Sequence, residues 1–306
     1  MKKFYSLLLV AAGTLLLGSC NSNDDDNYYT SISYTTTNLI TSIESGQSFA
    51  SPAIYSCYFN LTSGRATIGT NNLIAGNYNF SFVSQESPFT TYYYDNRQLN
   101  IIDSPEGNVS TTTGQTYPLE CSDIVISNLN YWSSELPGQS ANATYTPAIV
   151  FQYNIGNIYN VKTFSKDALY IGKTETSYPG QNGTETYENE KMSYRFIIDL
   201  STSKATMIMY NARFAASMPI ELAAIMVDDL DVIWQEGTYT IKGENLVPVS
   251  YEGTTPTPYP SFTFDSIEFT PSNPTLTQGT LKYTVAGRYS GVFNGSYLNE
   301  PSIPGK

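Results

Sequence analysis

The chain repeats itself, and a repeat constrains a fold more tightly than any single segment does. Ile54-Tyr55-Ser56-Cys57-Tyr58-Phe59-Asn60-Leu61-Thr62-Ser63-Gly64-Arg65-Ala66-Thr67-Ile68 lies over Ser193-Tyr194-Arg195-Phe196-Ile197-Ile198-Asp199-Leu200-Ser201-Thr202-Ser203-Lys204-Ala205-Thr206-Met207 at one constant offset. Tyr, Leu, Ala and Thr coincide, while Asn/Asp, Thr/Ser, Arg/Lys and Ile/Met pair conservatively. Tyr55, Cys57, Phe59 and Leu61 alternate onto one strand face, as do Tyr194, Phe196, Ile198 and Leu200. The polar residues after each leucine read as a hairpin turn, with a second strand from Ala66 or Ala205.

A second match keeps the order of the first. Leu119-Glu120-Cys121-Ser122-Asp123-Ile124-Val125-Ile126 lies over Phe262-Thr263-Phe264-Asp265-Ser266-Ile267-Glu268-Phe269. In both, the apolar phase shifts at the polar pair, as a β-bulge requires. Turn-rich loops from Ser104 to Pro118 and from Gly243 to Pro260 separate the matches. Each copy then closes on an alternating strand soon followed by Gly, Phe151 to Ile155 and Leu281 to Val285. Two β domains are therefore expected, at 28–157 and 158–298, with a tail at 299–306. Met218 to Leu230 reads as helix or strand; its first-copy counterpart, Tyr78 to Phe82, alternates, which favours strand.

Many short strands without helix–strand alternation give an all-β chain. The expected fold is two tandem, internally duplicated antiparallel β-barrel or β-sandwich domains. The 26 tyrosines and 14 phenylalanines suit that class.

The N-terminus reads as an address. Lys2 and Lys3 precede an apolar run from Phe4 to Leu17, too short to span a bilayer, and Leu17-Gly18-Ser19-Cys20 follows. That tetrad resembles the lipobox of bacterial lipoproteins, which implies a signal peptide at 1–19 and acylation of Cys20. Asn21-Ser22-Asn23-Asp24-Asp25-Asp26 follows within a tether at 20–27. An acidic cluster there resembles the signal that sends lipoproteins of Bacteroidota to the outer face of the outer membrane. With the lipobox, repeat size and hairpin pattern, the chain resembles the calycin-like (lipocalin-related) surface lipoproteins of that group. The resemblance implies an outer-membrane, lipid-anchored protein facing the cell exterior, and families mostly of unknown function.

Composition narrows the chemistry. The chain has no histidine, which removes Ser-His-Asp and Cys-His catalysis and imidazole-ligated zinc. A net charge of −12 opposes nucleic acid as partner. Ser201-Thr202-Ser203-Lys204 matches a serine β-lactamase motif but falls in the hairpin turn, where the helix start that chemistry needs is missing. Gly172-Lys173-Thr174 ends like a phosphate-binding loop, yet Asp167 stands where its first glycine belongs. Asp228, Asp229 and Asp231, or Glu185, Glu188 and Glu190, are carboxylate clusters of the kind that solvated faces carry. No catalytic residue, metal ligand or cofactor is assigned.

Cys57 and Cys121 align with Phe196 and Phe264 and are expected inward on adjacent strands of the first domain, with a disulfide between them left open. Tyr131 and Trp132 in one polar loop, and Tyr251 and Tyr259 in another, are the candidate ligand-binding aromatics. The expectation is a non-catalytic surface lipoprotein that captures an extracellular ligand such as a glycan. The alternatives are a lipocalin-like carrier of an apolar small molecule, with a cavity in its barrel, and a structural or adhesive surface module.

Overall fold

The structure is a computed structural model and describes residues 29–94, 97–131, 144–222, 224–252, 255–272 and 275–297. The signal, Cys20, the acidic tether and the tail lie outside the described residues. No helix among those described is long and apolar enough to cross a membrane.

The first half comprises β1 (Tyr29–Ser42), β2 (Ser48–Asn60), β3 (Arg65–Ala75), β4 (Tyr78–Ser84), β5 (Ser87–Tyr94), β6 (Arg97–Ile102), β7 (Glu106–Thr111), β8 (Thr116–Cys121), β9 (Ile124–Tyr131), β10 (Thr144–Val150), β11 (Gln152–Ile155) and β12 (Tyr159–Phe164). The second comprises β13 (Asp167–Gly180), β14 (Gly183–Asn189), β15 (Ser193–Asp199), β16 (Lys204–Tyr210), β17 (Ile225–Gln235), β18 (Thr238–Leu246), β19 (Val249–Glu252), β20 (Thr255–Pro258), β21 (Phe264–Ser272), β22 (Gln278–Val285) and β23 (Tyr289–Ser296), with a short 3-10 turn at Pro260–Phe262.

Strand pairing closes two rings. One runs β3-β2-β1-β12-β11-β8-β7-β4 and returns to β3; the other runs β16-β15-β13-β23-β22-β21-β18-β17 and returns to β16. The fold is thus all-β, with two closed antiparallel barrels of eight strands each, and closure decides between barrel and sandwich. Outside the ring, β5, β6, β9 and β10 form a side sheet, joined to β3 through Arg65↔Pro88 and Ala66↔Ser87.

The two rings have the same strand order, and the first match holds residue for residue. Cys57 pairs with Ile68 as Phe196 pairs with Met207, and Asn60 with Arg65 as Asp199 with Lys204. The turns share their cause. Asn60 Oδ1 accepts from the Thr62 and Ser63 amides, and Asp199 Oδ1 from that of Ser201. Gly64 and Ser203 then take the left-handed conformation at the same position.

Two expectations need correction, and a third holds in part. β12 lies past residue 157, yet it pairs with β1 and β11 and completes the first barrel, so the division falls between Phe164 and Asp167. The second match is slipped by two residues: Leu119 faces Ile155 as Phe264 faces Val285, so Phe264 corresponds to Leu119 and not to Cys121. Ile124 and Ile126 leave the barrel in β9, whereas Ile267 and Phe269 remain in β21. The register shift at Phe264/Ser266 is present in the second copy, while Ser122-Asp123 breaks the strand in the first. Within Met218–Leu230, strand begins at Ile225; Met218–Leu222 is irregular and held by an Ala212↔Leu222 bridge.

Each barrel encloses the same buried hydrogen-bonded group. Tyr153 donates to Tyr55 (2.7 Å), Tyr55 to Asn38 Oδ1 (2.6 Å), and Asn38 Nδ2 to the Ser51 carbonyl (3.0 Å). In the second barrel Tyr194 meets Thr174 Oγ1 at 3.0 Å and Tyr283 at 3.4 Å. Tyr55 faces Tyr34 as Tyr194 faces Tyr170, and four residues further on stand Asn38 and Thr174. Rings fill the space around these groups: Phe80, Phe82 and Phe151 in the first barrel, Phe269 and Phe293 in the second. An eight-stranded barrel is just wide enough to be filled by side chains, and these are.

The hairpin between β17 and β18 docks on the first barrel. Lys162 Nζ donates to the Gly237 carbonyl (2.9 Å), and the Gly237 amide reaches Thr41 and Ser48 hydroxyls at 3.3 and 3.4 Å. Phe164 packs on Tyr239 and Trp234 at 5.1 and 6.1 Å between ring centres. Leu39, Val150 and Phe164 thereby extend the second barrel's apolar core across the joint.

Cys57 and Cys121, the two cysteines among the described residues, are free. β2 and β8 are not neighbours, because β1, β12 and β11 stand between them in the ring. Cys57 is buried and Cys121 half-buried, and burial pushes both thiols up to about 12. Neither is a thiolate at neutral pH. We expect negligible maleimide labelling of either in the native chain and labelling of both on denaturation without reductant. A labelled native thiol, or a bridge that must be reduced first, would contradict the pairing order.

Candidate ligand-binding site

At the end of the second barrel remote from the joint, rings from three separated segments form a row. Ring centres lie 4.9 Å apart for Tyr259–Phe262, 5.7 Å for Phe262–Phe214, and 5.5 Å for Phe214–Tyr289, the last pair stacked at 28°. Phe214 is fully buried and pins the row to the core through Tyr283 at 6.0 Å. Tyr259, Phe262 and Tyr289 are half-exposed.

Local sequence sets each ring. Pro260 opens the 3-10 turn that carries Tyr259 and Phe262. The Tyr259 amide donates to the Pro248 carbonyl at 2.8 Å, and Phe262 to Tyr259 at 3.0 Å. Ala286 and Gly287 have positive φ, and the Gly287 amide is held by Asp265 Oδ2 at 2.6 Å, which delivers Arg288 and Tyr289 to the rim. Arg288 lies over the Tyr289 ring at 5.3 Å, and nearby Arg213 over Tyr187 at 5.5 Å. The site is therefore a row of half-exposed rings around buried Phe214, with one cation stacked on its Tyr289 end, on an acidic chain. An open groove of 380 Å³ lies at the opposite end, over Gly172, Gly279 and Gly295, and contains none of these rings.

The first barrel carries a related cluster at its corresponding end. Tyr159 opens β12 as Tyr289 opens β23, four residues beyond Ile155 and Val285 respectively. It meets Phe80 at 6.0 Å and Phe49 at 6.4 Å, and Tyr78 and Tyr117 flank Phe80 at 5.6 and 6.3 Å. Burial raises the Tyr159 hydroxyl above the usual phenol range.

Of the aromatics expected from sequence, Tyr259 belongs to the row. The side chains of Tyr131, Tyr251 and all of Trp132 lie outside the described residues. Phe262, Phe214 and Tyr289 were not singled out by sequence, since each reads as an ordinary core or strand residue. The match of Tyr159 with Tyr289 after a strand end and a glycine was the available signal.

The carboxylate clusters lie apart from this site. Lys204 holds Asp229 and Asp231 at 3.0 and 2.8 Å, Asp228 accepts from Thr206 at 2.6 Å, and Glu188 pairs with Lys173. Among the described residues no group of three acidic or thiol side chains converges as a metal site.

No protein-family model matches the chain, and no curated protein does. Solved structures of transferrin binding protein B are similar to it at low level. A double mutant from Haemophilus parasuis is 9% identical, with 87% of this chain and 76% of that chain covered and a TM-score of 0.24. The isotype 1 protein from serogroup B Neisseria meningitidis is 8% identical, with 88% and 77% covered and a TM-score of 0.25. These values place the chain in no family; its two barrels stand on their own strand pairing.

Proposed function

We propose that the chain is a non-catalytic surface lipoprotein, acylated at Cys20 and held to the outer membrane, that binds an extracellular glycan on the aromatic row of its second barrel. The observation that carries this reading is the strip of half-exposed rings Tyr259, Phe262 and Tyr289. Exposed ring surface of this kind packs on the C–H faces of sugars, and Arg288, stacked on Tyr289, suits hydroxyl or acidic substituents. Their position agrees with it, since the joint occupies the other end of that barrel.

The carrier reading is disfavoured by the filled interiors. Strand-addition adhesion is disfavoured at the edges of β10 and β20, which carry Pro147 and Pro256 with Pro258.

The test is a glycan array and a lipid panel probed with full-length Cys20→Ser chain. Glycan binding is expected, weakened about fivefold (~1 kcal/mol) by Tyr289→Ala with the unfolding midpoint held as a control for folding. Binding of lipid and no glycan would overturn the reading.

A further inference from the structure

The two copies part company at the hairpin where they otherwise match residue for residue. In the second, Leu200 packs against the core, and Asp199, Lys204, Asp229 and Asp231 surround the turn with charge. In the first, Leu61 is 57% exposed, and Tyr29 and Tyr58 on the adjoining strands are 66% and 51% exposed. Tyr29 stands opposite Asn60, whose side-chain amide donates to its hydroxyl at 3.2 Å. The outward rows above them are Ser31, Ser33, Ser56 and Thr67. From Tyr29 to Ser84 the sequence holds two charged residues, Glu44 and Arg65. Glu44 lies in the turn at the far end of these strands; Arg65 lies at the hairpin, paired with Glu86 at 3.5 Å.

A protein this acidic is soluble without leaving a leucine and two tyrosines uncovered on a neutral wall. Tyrosine, an aliphatic tip and one arginine at the rim are the residue types that settle at a membrane–water interface. The tether supplies the occupant. Eight residues separate Cys20 from Tyr29, a covalent reach of at most about 32 Å, so the end of the barrel where β1 begins stays close to any lipid on Cys20.

We propose that this end of the first barrel is a membrane seat: Tyr29, Tyr58 and Leu61 enter the headgroup layer of the bilayer that holds the Cys20 acyl chains, and Arg65 lies at the rim. The proposal rests on the acylation put forward above. Its consequence is orientation. The seat and the joint occupy opposite ends of the first barrel, and the joint and the aromatic row opposite ends of the second. A seated chain holds its ligand row away from the membrane.

The experiment uses the acylated full chain on phosphatidylcholine vesicles that contain a headgroup-depth nitroxide lipid. Tryptophan is placed at the seat by Leu61→Trp, or at an exposed position far from it by Ile220→Trp, and the parent signal of Trp132 and Trp234 is subtracted. Vesicle flotation reports the anchor, and nitroxide quenching reports the seat. Expected are flotation of both variants and several-fold stronger quenching of Leu61→Trp. Flotation with equal quenching overturns the seat and leaves the anchor standing; failure to float overturns both. Hydrogen exchange of the unsubstituted chain gives a second reading: amides 60–65 should slow on vesicles relative to Cys20→Ser in solution. Unchanged exchange there counts against the seat.

Discussion

Gly172→Val should unfold the second barrel, at a cost of about 4 kcal/mol or more. Gly172 on β13, Gly295 on β23 and Gly279 on β22 stand side by side across three neighbouring strands. A Cβ at Gly172 would overlap the Asn294 carbonyl oxygen and the Gly295 Cα, and one at Gly295 would overlap the Ile171 carbonyl. These are backbone atoms, so no rotamer change makes room and the strands themselves would have to separate. Phe293 and Phe269 lie over Gly295 and Gly279, so the missing side chains also make space for core rings. Total stability of a domain is about 5–15 kcal/mol, and a loss of this size removes much of it. The first copy supplies the control. Counting from the matched Tyr34 and Tyr170, Thr36 stands where Gly172 does, with its hydroxyl on the Phe164 carbonyl at 3.3 Å. Thr36→Val should cost about 1 kcal/mol, the worth of that hydrogen bond. Urea unfolding followed by circular dichroism measures both, and a Gly172→Val chain within about 1 kcal/mol of wild type would contradict the close approach.

The hairpin Asn60–Arg65 and its twin were legible because everything that sets them is local. An Asx side chain caps the turn, a left-handed residue closes it, and strict alternation runs on either side. The second match was legible in face but not in register. A slip of two residues returns every side chain to the same face, so alternation cannot detect it; only the pairing of Leu119 with Ile155 and of Phe264 with Val285 does. The sequence pattern puts β12 in the wrong half for a related reason. Its partner β1 lies at the other end of the copy in sequence, and no short-range signal announces a ring closure. The aromatic row was the least legible feature. Phe214 comes from an irregular segment, Phe262 from a turn and Tyr289 from a strand start, and only the closed barrel brings them together. Tyr259 was found because it stood alone in a Pro- and Thr-rich loop.

Tyr55→Ala should be the most damaging single truncation in the first barrel, costing about 4–8 kcal/mol. About 3–5 of this is the cavity left by a ring that meets Phe151 at 5.0 Å. The remainder comes from leaving Asn38 Oδ1 without its donor and the Tyr153 hydroxyl without its acceptor. Tyr55→Phe keeps the ring and isolates the second part, expected at about 1–3 kcal/mol. The duplicate makes the comparison quantitative. Tyr194 has the same place and ring burial, but its contacts are longer, at 3.0 and 3.4 Å, so Tyr194→Phe should cost less than Tyr55→Phe. In the pair Tyr55→Phe with Tyr153→Phe one orphan remains, the Asn38 oxygen, in place of two. The double substitution should therefore cost less than the sum of the singles in urea unfolding. Strict additivity would mean that the hydroxyls do not act as one group, and equal costs at Tyr55 and Tyr194 would mean that the shorter contacts confer no advantage.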